Sequence, residues 1–134
     1  MDYISVNTPP TPEEYCYIRK ECGLSEKSIN AAEIALPKSL FAVKIIEKSS
    51  NYVVGMGRII GDLGCFVQVV DIAVLPKYQG NGLSRIIMTK IMSYIHSSVP
   101  LDCHVTLLSD VDFLYEKFGY IDNTRSKPMV LSRN

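Results

Sequence analysis

Apolar residues in this chain recur at two spacings, every second position in some segments and every third or fourth position in others. The first spacing is typical of a strand with one buried face, and the second of an amphipathic helix. Cys65 to Val74 is almost continuously apolar, which indicates a strand covered on both faces. The strands predicted in this way are Tyr3–Val6, Leu40–Ile46, Tyr52–Ile60, Cys65–Val74, Val105–Leu108, Tyr120–Asp122 and Met129–Ser132.

Capping residues, prolines and glycines set the limits of four predicted helices. Thr11 precedes Pro12 and stands three residues before Glu14, which is the order of a capping box with proline at the first helical position. That helix is predicted to run to Cys22 and to end at Gly23. The other three begin after Ser25 or Ser28, at Gly82 and at Asp110, and they end before Pro37, before Pro100 and at Gly119.

The elements therefore follow one another as β-α-α-β-β-β-α-β-α-β-β. This order predicts an α/β (α+β mixed) fold, with a mixed central sheet of about seven strands and four helices on its two faces. The chain has 134 residues, of which 47% are hydrophobic, and this is enough for one continuous core. Because we find no internal repeat or linker, we expect residues 1–134 to form a single domain.

The charge balance argues against several classes of partner. Lys and Arg total 14, and Asp and Glu also total 14, so no overall field attracts the protein to nucleic acid or to an anionic membrane. No apolar run approaches the ~20 residues that a membrane-spanning helix needs. Met1 to Pro10 lacks the basic and apolar regions of a signal peptide, so we expect a cytoplasmic location.

The cysteines and histidines do not predict a metal site. No two cysteines form a CxxC pair, and the two histidines are not spaced like metal ligands. Reduced, mostly buried thiols and structural roles for the histidines are the favoured interpretation, although His104 could also contact a substrate. The residues concerned are Cys16, Cys22, Cys65, Cys103, His96 and His104.

A glycine-containing turn lies between the long apolar strand and the helix that follows it. Gly80 and Gly82 flank one residue in this turn, and glycine allows a ligand to approach the backbone closely. The N–H groups of such a turn, at the positive end of a helix, can bind phosphate. The dinucleotide motif GxGxxG and the nucleotide-binding ending GK[ST] are both absent. A strand–helix connection that simply needs flexible dihedral angles would explain the glycines equally well.

The segment from Val69 to Met92 resembles motif A of the GNAT N-acetyltransferases, [QR]xxGx[GA]. Gln79, Gly82 and Ser84 stand at the three fixed positions, and Ser84 replaces the usual glycine or alanine with another small residue. The lead-in Asp71 to Tyr78 is also similar to that family. A second stretch, Leu114 to Tyr120, is similar to the family's late helix and the strand after it. The predicted element order fits the family along the whole chain.

The resemblance implies acetyl-CoA as acyl donor and coenzyme A as product. Amides of the turn would hold the pyrophosphate, and backbone groups of Ile72 and Val74 would pair with the pantetheine amides. The residues that the resemblance places on the cofactor are Ile72, Ala73, Val74, Gln79, Gly80, Asn81, Gly82, Leu83, Ser84 and Tyr115.

The resemblance also implies catalytic roles. The N–H of Val74 would stabilise the oxyanion, and Tyr115 would protonate the leaving thiolate. Gln68 stands where histone-acetylating relatives place a glutamate, and an amide is not a useful base at neutral pH. Asp71 is the nearest carboxylate on the strand. We expect its side chain to point to the face opposite Gln68 and to have a structural role, with a chain of water molecules as the alternative proton acceptor.

The expected substrate is a primary amine of a small molecule, which attacks the thioester directly in a ternary complex. A protein lysine or amino terminus is the second choice, and a non-catalytic module that senses acyl-CoA is the alternative from another class. The sequence is compatible with a homodimer. The candidate acceptor-binding residues are Tyr15, Arg19, Ser39, Phe41, Arg58 and Gln68.

Overall fold

The computed structural model describes residues 2–108, 115–122 and 125–133. Its strands are β1 (Tyr3–Val6), β2 (Phe41–Glu47), β3 (Tyr52–Gly61), β4 (Phe66–Val74) and β5 (His104–Leu107). They form a five-stranded sheet in the order β1-β2-β3-β4-β5. Neighbours from β1 to β4 are antiparallel, and β4 pairs with β5 in parallel. The helices are α1 (Pro12–Glu21), α2 (Ile29–Ala35) and α3 (Leu83–Ser98), with 3-10 turns at Leu36–Lys38 and Pro76–Tyr78.

The predicted capping residues begin the first two helices. The side chain of Thr11 accepts a hydrogen bond from the Glu14 N–H, and the Glu14 carboxylate accepts one from the Thr11 N–H. This is the predicted capping box. Of the two serines considered for α2, Ser28 is the cap, because its side chain accepts from the Ala31 N–H over 3.0 Å.

Helices cover both faces of the sheet. The apolar stripe of α3, which includes Ile87, Met88 and Ile91, packs against one face in a cluster with Val43 and Val54. α1 and α2 pack against the other face in a cluster that contains Tyr15, Ile18, Ala32, Val53, Met56 and Ala73. The centre of β4 therefore lies between two helical layers.

A β-bulge interrupts the pairing of β3 with β4. The register moves from Arg58↔Val70 to Met56↔Ala73, so that two residues of β4 lie opposite Gly57. One of them is Asp71, which has a φ of 62°. A Cβ atom at Gly57 would lie 2.6 Å from Ile87 and 2.7 Å from Ile72, so this position requires glycine for α3 to pack closely.

Two predicted strands do not occur among the described residues. Tyr120–Asp122 and Met129–Ser132 have no strand pairing, so the sheet described has five strands rather than seven. Met129, Val130 and Leu131 are each at least 80% exposed. A β-favouring composition does not form a strand without a neighbouring strand to pair with, and this is why the prediction was wrong.

The described residues contain only the end of the fourth predicted helix. Its start at Asp110 lies outside the described residues, so three α-helices rather than four are described in full. Tyr115 and Glu116 are helical. Gly119 has a φ of 93°, which is the left-handed conformation predicted after the end of this helix.

Candidate active site

The glycine-containing turn joins β4 to α3 and is held by two amide side chains. Gln79 Nε2 donates a hydrogen bond to the carbonyl oxygen of Val74 over 2.9 Å, and Asn81 Nδ2 donates to that of Tyr78 over 2.9 Å. Gly80 and Gly82 have φ values of 85° and 76°. The left-handed conformation at both glycines explains why the chain carries glycine there.

The first turn of α3 leaves its backbone N–H groups available. Gly82 caps the helix without a side-chain hydrogen bond, and no acidic residue lies in the first turn. Ile86 N–H bonds to the Gly82 carbonyl, so the N–H groups from Leu83 to Arg85 have no acceptor within the helix. A Cβ atom at Gly80 or at Gly82 would meet nothing within 4 Å. These features favour an anion at this helix end.

Among the residues that the structure describes, nothing pairs with the edge of β4 next to the turn. β5 pairs only with Phe66–Val69, so the rest of β4 extends beyond this parallel ladder. The Leu75 N–H bonds to the Val54 carbonyl over 2.9 Å. Because hydrogen-bonded and non-hydrogen-bonded pairs alternate in antiparallel strands, the adjacent pair Gly55–Val74 is non-hydrogen-bonded. The Val74 N–H therefore points away from β3, towards the open edge.

A buried polar cluster surrounds Asp71 on the face that α1 covers. Tyr15 donates to Asp71 Oδ2 over 2.9 Å, and Arg58 Nε donates to the same oxygen over 2.6 Å. Arg19 forms an ion pair with Asp71 Oδ1. The side chains of Arg19, Arg58 and Asp71 are only 10%, 11% and 5% exposed. Both guanidinium groups also lie over the Tyr15 ring, 5.8 Å and 5.6 Å from its centroid.

Burial and Asp71 together set the ionisation of this cluster. Burial, followed by the charge of Asp71 and its hydrogen bond, raises the pKa of Tyr15, so its phenol is neutral at physiological pH. Burial by itself lowers the pKa of Arg58, but the hydrogen bond and charge of Asp71 outweigh it, and the pKa is raised. Arg58 therefore carries its full charge.

The prediction that Asp71 and Gln68 point to opposite faces was wrong. Val67 and Val69 pack in the α3 cluster, so Gln68 between them faces the α1 side. The bulge adds one residue to the alternation, and Asp71 consequently faces the α1 side as well. Its expected structural role is consistent with its three hydrogen-bonding partners.

The structure brings together most, but not all, of the predicted acceptor-binding residues. Tyr15, Arg19 and Arg58 meet at Asp71, and Ser39 joins them because its hydroxyl oxygen accepts from Arg58 Nη1 over 3.2 Å. Phe41 lies elsewhere. Its ring stacks on Tyr94 of α3, with centroids 4.8 Å apart, on the opposite face of the sheet.

Tyr115 and Tyr120 form an aromatic pair beside α3. Their rings meet edge to face with centroids 6.4 Å apart, and both pack against the α3 cluster. The Tyr120 hydroxyl donates to Met92 Sδ over 3.3 Å. Burial, and next the charge of Tyr115, raises the pKa of Tyr120 to about 12.

Two residues of the site were not anticipated from the sequence. The Cys22 thiol donates to the Val74 carbonyl over 3.3 Å, and burial, followed by the charge of Glu21, raises its pKa. Ser25 accepts hydrogen bonds from Arg19 through its carbonyl and hydroxyl oxygens, both over 2.9 Å. Neither residue lies in a motif, so only the three-dimensional contacts identify them.

A groove of about 770 Å³ lies between α1, the start of β3 and the segment Leu75–Tyr78. Glu13, Glu14 and Glu21 line it. We do not assign this groove to phosphate groups, because its carboxylates would repel them.

The described residues contain no group of three or more side chains arranged to hold a metal ion. Within the same residues, no helix is long and apolar enough to cross a membrane. All four cysteines are free thiols, and only Cys103 is buried, so the expectation that most of them are buried was wrong.

The mixed sheet, its covering helices and the glycine turn between β4 and α3 are shared with a family of acetyltransferases. Residues 39–122 match the model of the GNAT acetyltransferase domain, which is more than half of the chain. The protein therefore belongs to the GNAT acetyltransferase family, and its mixed α/β fold is the GNAT fold.

Several known proteins are similar to this chain. A protein of unknown function from methicillin-resistant Staphylococcus aureus, described as a probable acetyltransferase, is 39% identical, with a TM-score of 0.92 over 98% of this chain and 100% of that one. A GNAT-family acetyltransferase of Streptococcus pneumoniae shares the fold, with 20% identity and a TM-score of 0.79 over 98% of each chain. An uncharacterised N-acetyltransferase of Porphyra purpurea is 27% identical over 101 residues, which are 74% of this chain and 58% of that protein. The match thus spans little more than half of the algal protein.

Proposed function

We propose that the protein transfers the acetyl group of acetyl-CoA to a primary amine of a small molecule, by direct attack within a ternary complex. The observation that carries this proposal is the uncapped start of α3, which lies behind a glycine turn and next to the open edge of β4. We also propose that it acts in the cytoplasm.

The turn and the open edge suit the two ends of acetyl-CoA. The free N–H groups from Leu83 to Arg85 and the open space above Gly80 and Gly82 suit a pyrophosphate. Beyond Val69, the backbone of β4 can accept an amide-bearing chain as an additional strand, which suits pantetheine. Family membership supports the same assignment.

Bound acetyl-CoA supplies the thioester carbonyl group that the amine attacks. In the proposed mechanism, the Val74 N–H donates a hydrogen bond to the carbonyl oxygen as negative charge develops there. A nitrogen–carbon bond forms and the carbon–sulfur bond breaks. Tyr115 donates its phenolic proton to the departing sulfur. It later regains a proton, either from solvent or from the proton that the attacking amine has released.

Asp71, the carboxylate on β4 next to the proposed reaction point, is not free to act as a base. Arg19 and Arg58 both bind Asp71, and Tyr15 donates to it as well, so both of its carboxylate oxygens already hold hydrogen bonds. Gln68 faces the same side but cannot accept a proton at neutral pH. We therefore propose that water removes the proton of the attacking amine. The amide at position 68 also favours a small amine over a lysine in a protein.

Thiol release provides the test. Purified protein is incubated with acetyl-CoA and a library of small primary amines, and free coenzyme A is measured with a thiol reagent. We expect release that requires an amine, and mass spectrometry should find the corresponding acetylated amine. Release at the same rate without an amine would mean hydrolysis. No release with any amine, despite tight binding of acetyl-CoA, would favour the sensing module instead.

A further inference from the structure

The polar cluster at Asp71 contains more positive than negative charge. Two guanidinium groups, from Arg19 and Arg58, share the single carboxylate of Asp71. Among the described residues, these are the only ion pairs that either arginine makes. Because Tyr15 is neutral, the cluster carries a net charge of +1.

An unbalanced charge is costly where water is excluded, and the arginine side chains are only about one-tenth exposed. If the cluster served only to stabilise the fold, one arginine paired with Asp71 would give a neutral pair, and the second arginine would not be needed. A second anion that binds from outside the chain would restore the balance.

One nitrogen of Arg58 is available for that anion. Nε of Arg58 bonds to Asp71 and Nη1 bonds to Ser39, but Nη2 makes no hydrogen bond to a described residue. Nη2 is also not among the side-chain atoms that are closed off from solvent without a partner. It can therefore donate to a ligand.

The cluster lies next to the part of β4 where the reaction would occur. Asp71 immediately precedes Ile72, and the open edge of the strand continues to Val74. The cluster faces the α1 side, together with Gln68. Arg58 itself pairs with Val70 of the same strand.

We infer that the acceptor is an amine that also carries an anionic group, a carboxylate or a phosphate ester, and that Arg58 binds this group. This inference rests on the proposed function and specifies its substrate class. Arg58 then acts as a specificity-determining residue, while Arg19 holds Asp71 in place through its contacts with Ser25.

Matched pairs of acceptors test the inference on the unaltered protein. Amino acids are compared with their amides, phosphoethanolamine with ethanolamine, and putrescine serves as a cationic diamine. Rates are corrected for the fraction of neutral amine. We expect the anionic member of at least one pair to have roughly tenfold or higher kcat/KM, as a charge-assisted hydrogen bond would give. The pair that responds distinguishes a carboxylate from a phosphate.

Variants then assign the preference to Arg58. Arg58→Gln should reduce the ratio of kcat/KM between the anionic and neutral members of a pair to near parity, whereas Arg58→Lys should retain part of it. Lys20→Gln is the control, because it removes an exposed charge of the same helix that carries Arg19. In the presence of coenzyme A, the preferred anionic amine should raise the melting temperature of the parent but not of Arg58→Gln.

The outcomes separate this inference from the proposed function. If neutral or cationic amines are acetylated as well as, or better than, the anionic ones, the inference is wrong and the proposed function stands. If Lys20→Gln removes the preference as fully as Arg58→Gln, the assignment to Arg58 is wrong. If no amine of any class is acetylated, the proposed function fails and the inference fails with it.

Discussion

Gln79 and Val74 are joined across the β4–α3 turn by a hydrogen bond from the Gln79 side-chain amide to the Val74 carbonyl oxygen, 2.9 Å long. This bond fixes where the turn starts relative to the end of the strand. It therefore couples the open edge of β4, proposed to bind pantetheine, to the glycine turn, proposed to bind the pyrophosphate.

Replacing Gln79 should weaken acetyl-CoA binding without unfolding the protein, because its side chain is exposed. A neutral hydrogen bond contributes about 0.5–1.5 kcal/mol, so Gln79→Ala should raise the Kd for acetyl-CoA roughly two- to tenfold. Calorimetry measures the change, and Thr89→Ala, on the exposed side of α3, is the control. Unchanged affinity in Gln79→Ala would show that this bond does not organise the site.

Bulk at Gly82 should block the proposed phosphate site. Gly82→Val places a branched side chain in the space that a phosphate would enter, and it also strains a φ of 76°. Gly23→Val is a matched control, because Gly23 has a φ of 74° and open space around it, at the end of α1. We expect both variants to lose similar stability, but only Gly82→Val to lose acetyl-CoA binding in calorimetry. Equal affinity in the two folded variants would contradict the proposed site.

Tyr115 should act as the general acid. A phenol is chemically suited to this role, because an unperturbed phenol has a pKa near 10 and is protonated at neutral pH beside a forming thiolate. Tyr115→Phe retains the ring and removes only the hydroxyl, so kcat should fall by roughly ten- to a thousandfold while acetyl-CoA affinity stays nearly constant. A packing role for the hydroxyl would instead lower the melting temperature and leave kcat close to that of the parent.

Tyr120→Phe is the control for this variant. The Tyr120 hydroxyl is bound to Met92 and its pKa is about 12, which makes it a poorer acid. We expect this variant to keep kcat within a few-fold of the parent. A larger loss in Tyr120→Phe than in Tyr115→Phe would transfer the proposed role to Tyr120.

Gly57 should be required for stability, because it lies under α3 opposite the bulge. A Cβ atom there would lie 2.6 Å from Ile87 and 2.7 Å from Ile72. Overpacking of this kind costs about 1–3 kcal/mol, so Gly57→Ala should lower the free energy of unfolding by that amount. Gly64→Ala is the control, since a Cβ at Gly64 meets nothing within 4 Å. Denaturant unfolding compares them, and equal stability of the two variants would argue against tight packing at the bulge.

The local parts of the fold could be predicted from the sequence because their signals lie within a few residues. Thr11 with Glu14 forms the capping box, and the glycines of the β4–α3 turn adopt the left-handed conformation. The bulge at Asp71 could not be predicted, because an aspartate in a continuously apolar strand does not indicate a positive φ. The prediction assumed simple alternation along the strand, with no bulge, and therefore assigned Asp71 to the wrong face.

The polar cluster could not be predicted either, because its partners are far apart in sequence. Arg19 lies 52 positions before Asp71, and Tyr15 lies 56 positions before it. Tyr15, Arg19 and Arg58 were each candidates, but nothing in their spacing indicates that they share one carboxylate. The prediction of the two terminal strands failed for a related reason. Met129 and Val130 favour strand conformation, but the sequence does not indicate which strand would pair with them.

Calorimetric titration with acetyl-CoA is the decisive measurement for the proposed cofactor site. We expect acetyl-CoA to bind the parent protein at one site and to raise its melting temperature, because a ligand that binds only the folded state stabilises it. ATP and NADH should do less, since they lack pantetheine. Absence of binding, or an equal shift with ATP, would contradict the claim that the turn at Gly82 and the open edge of β4 together form an acetyl-CoA site.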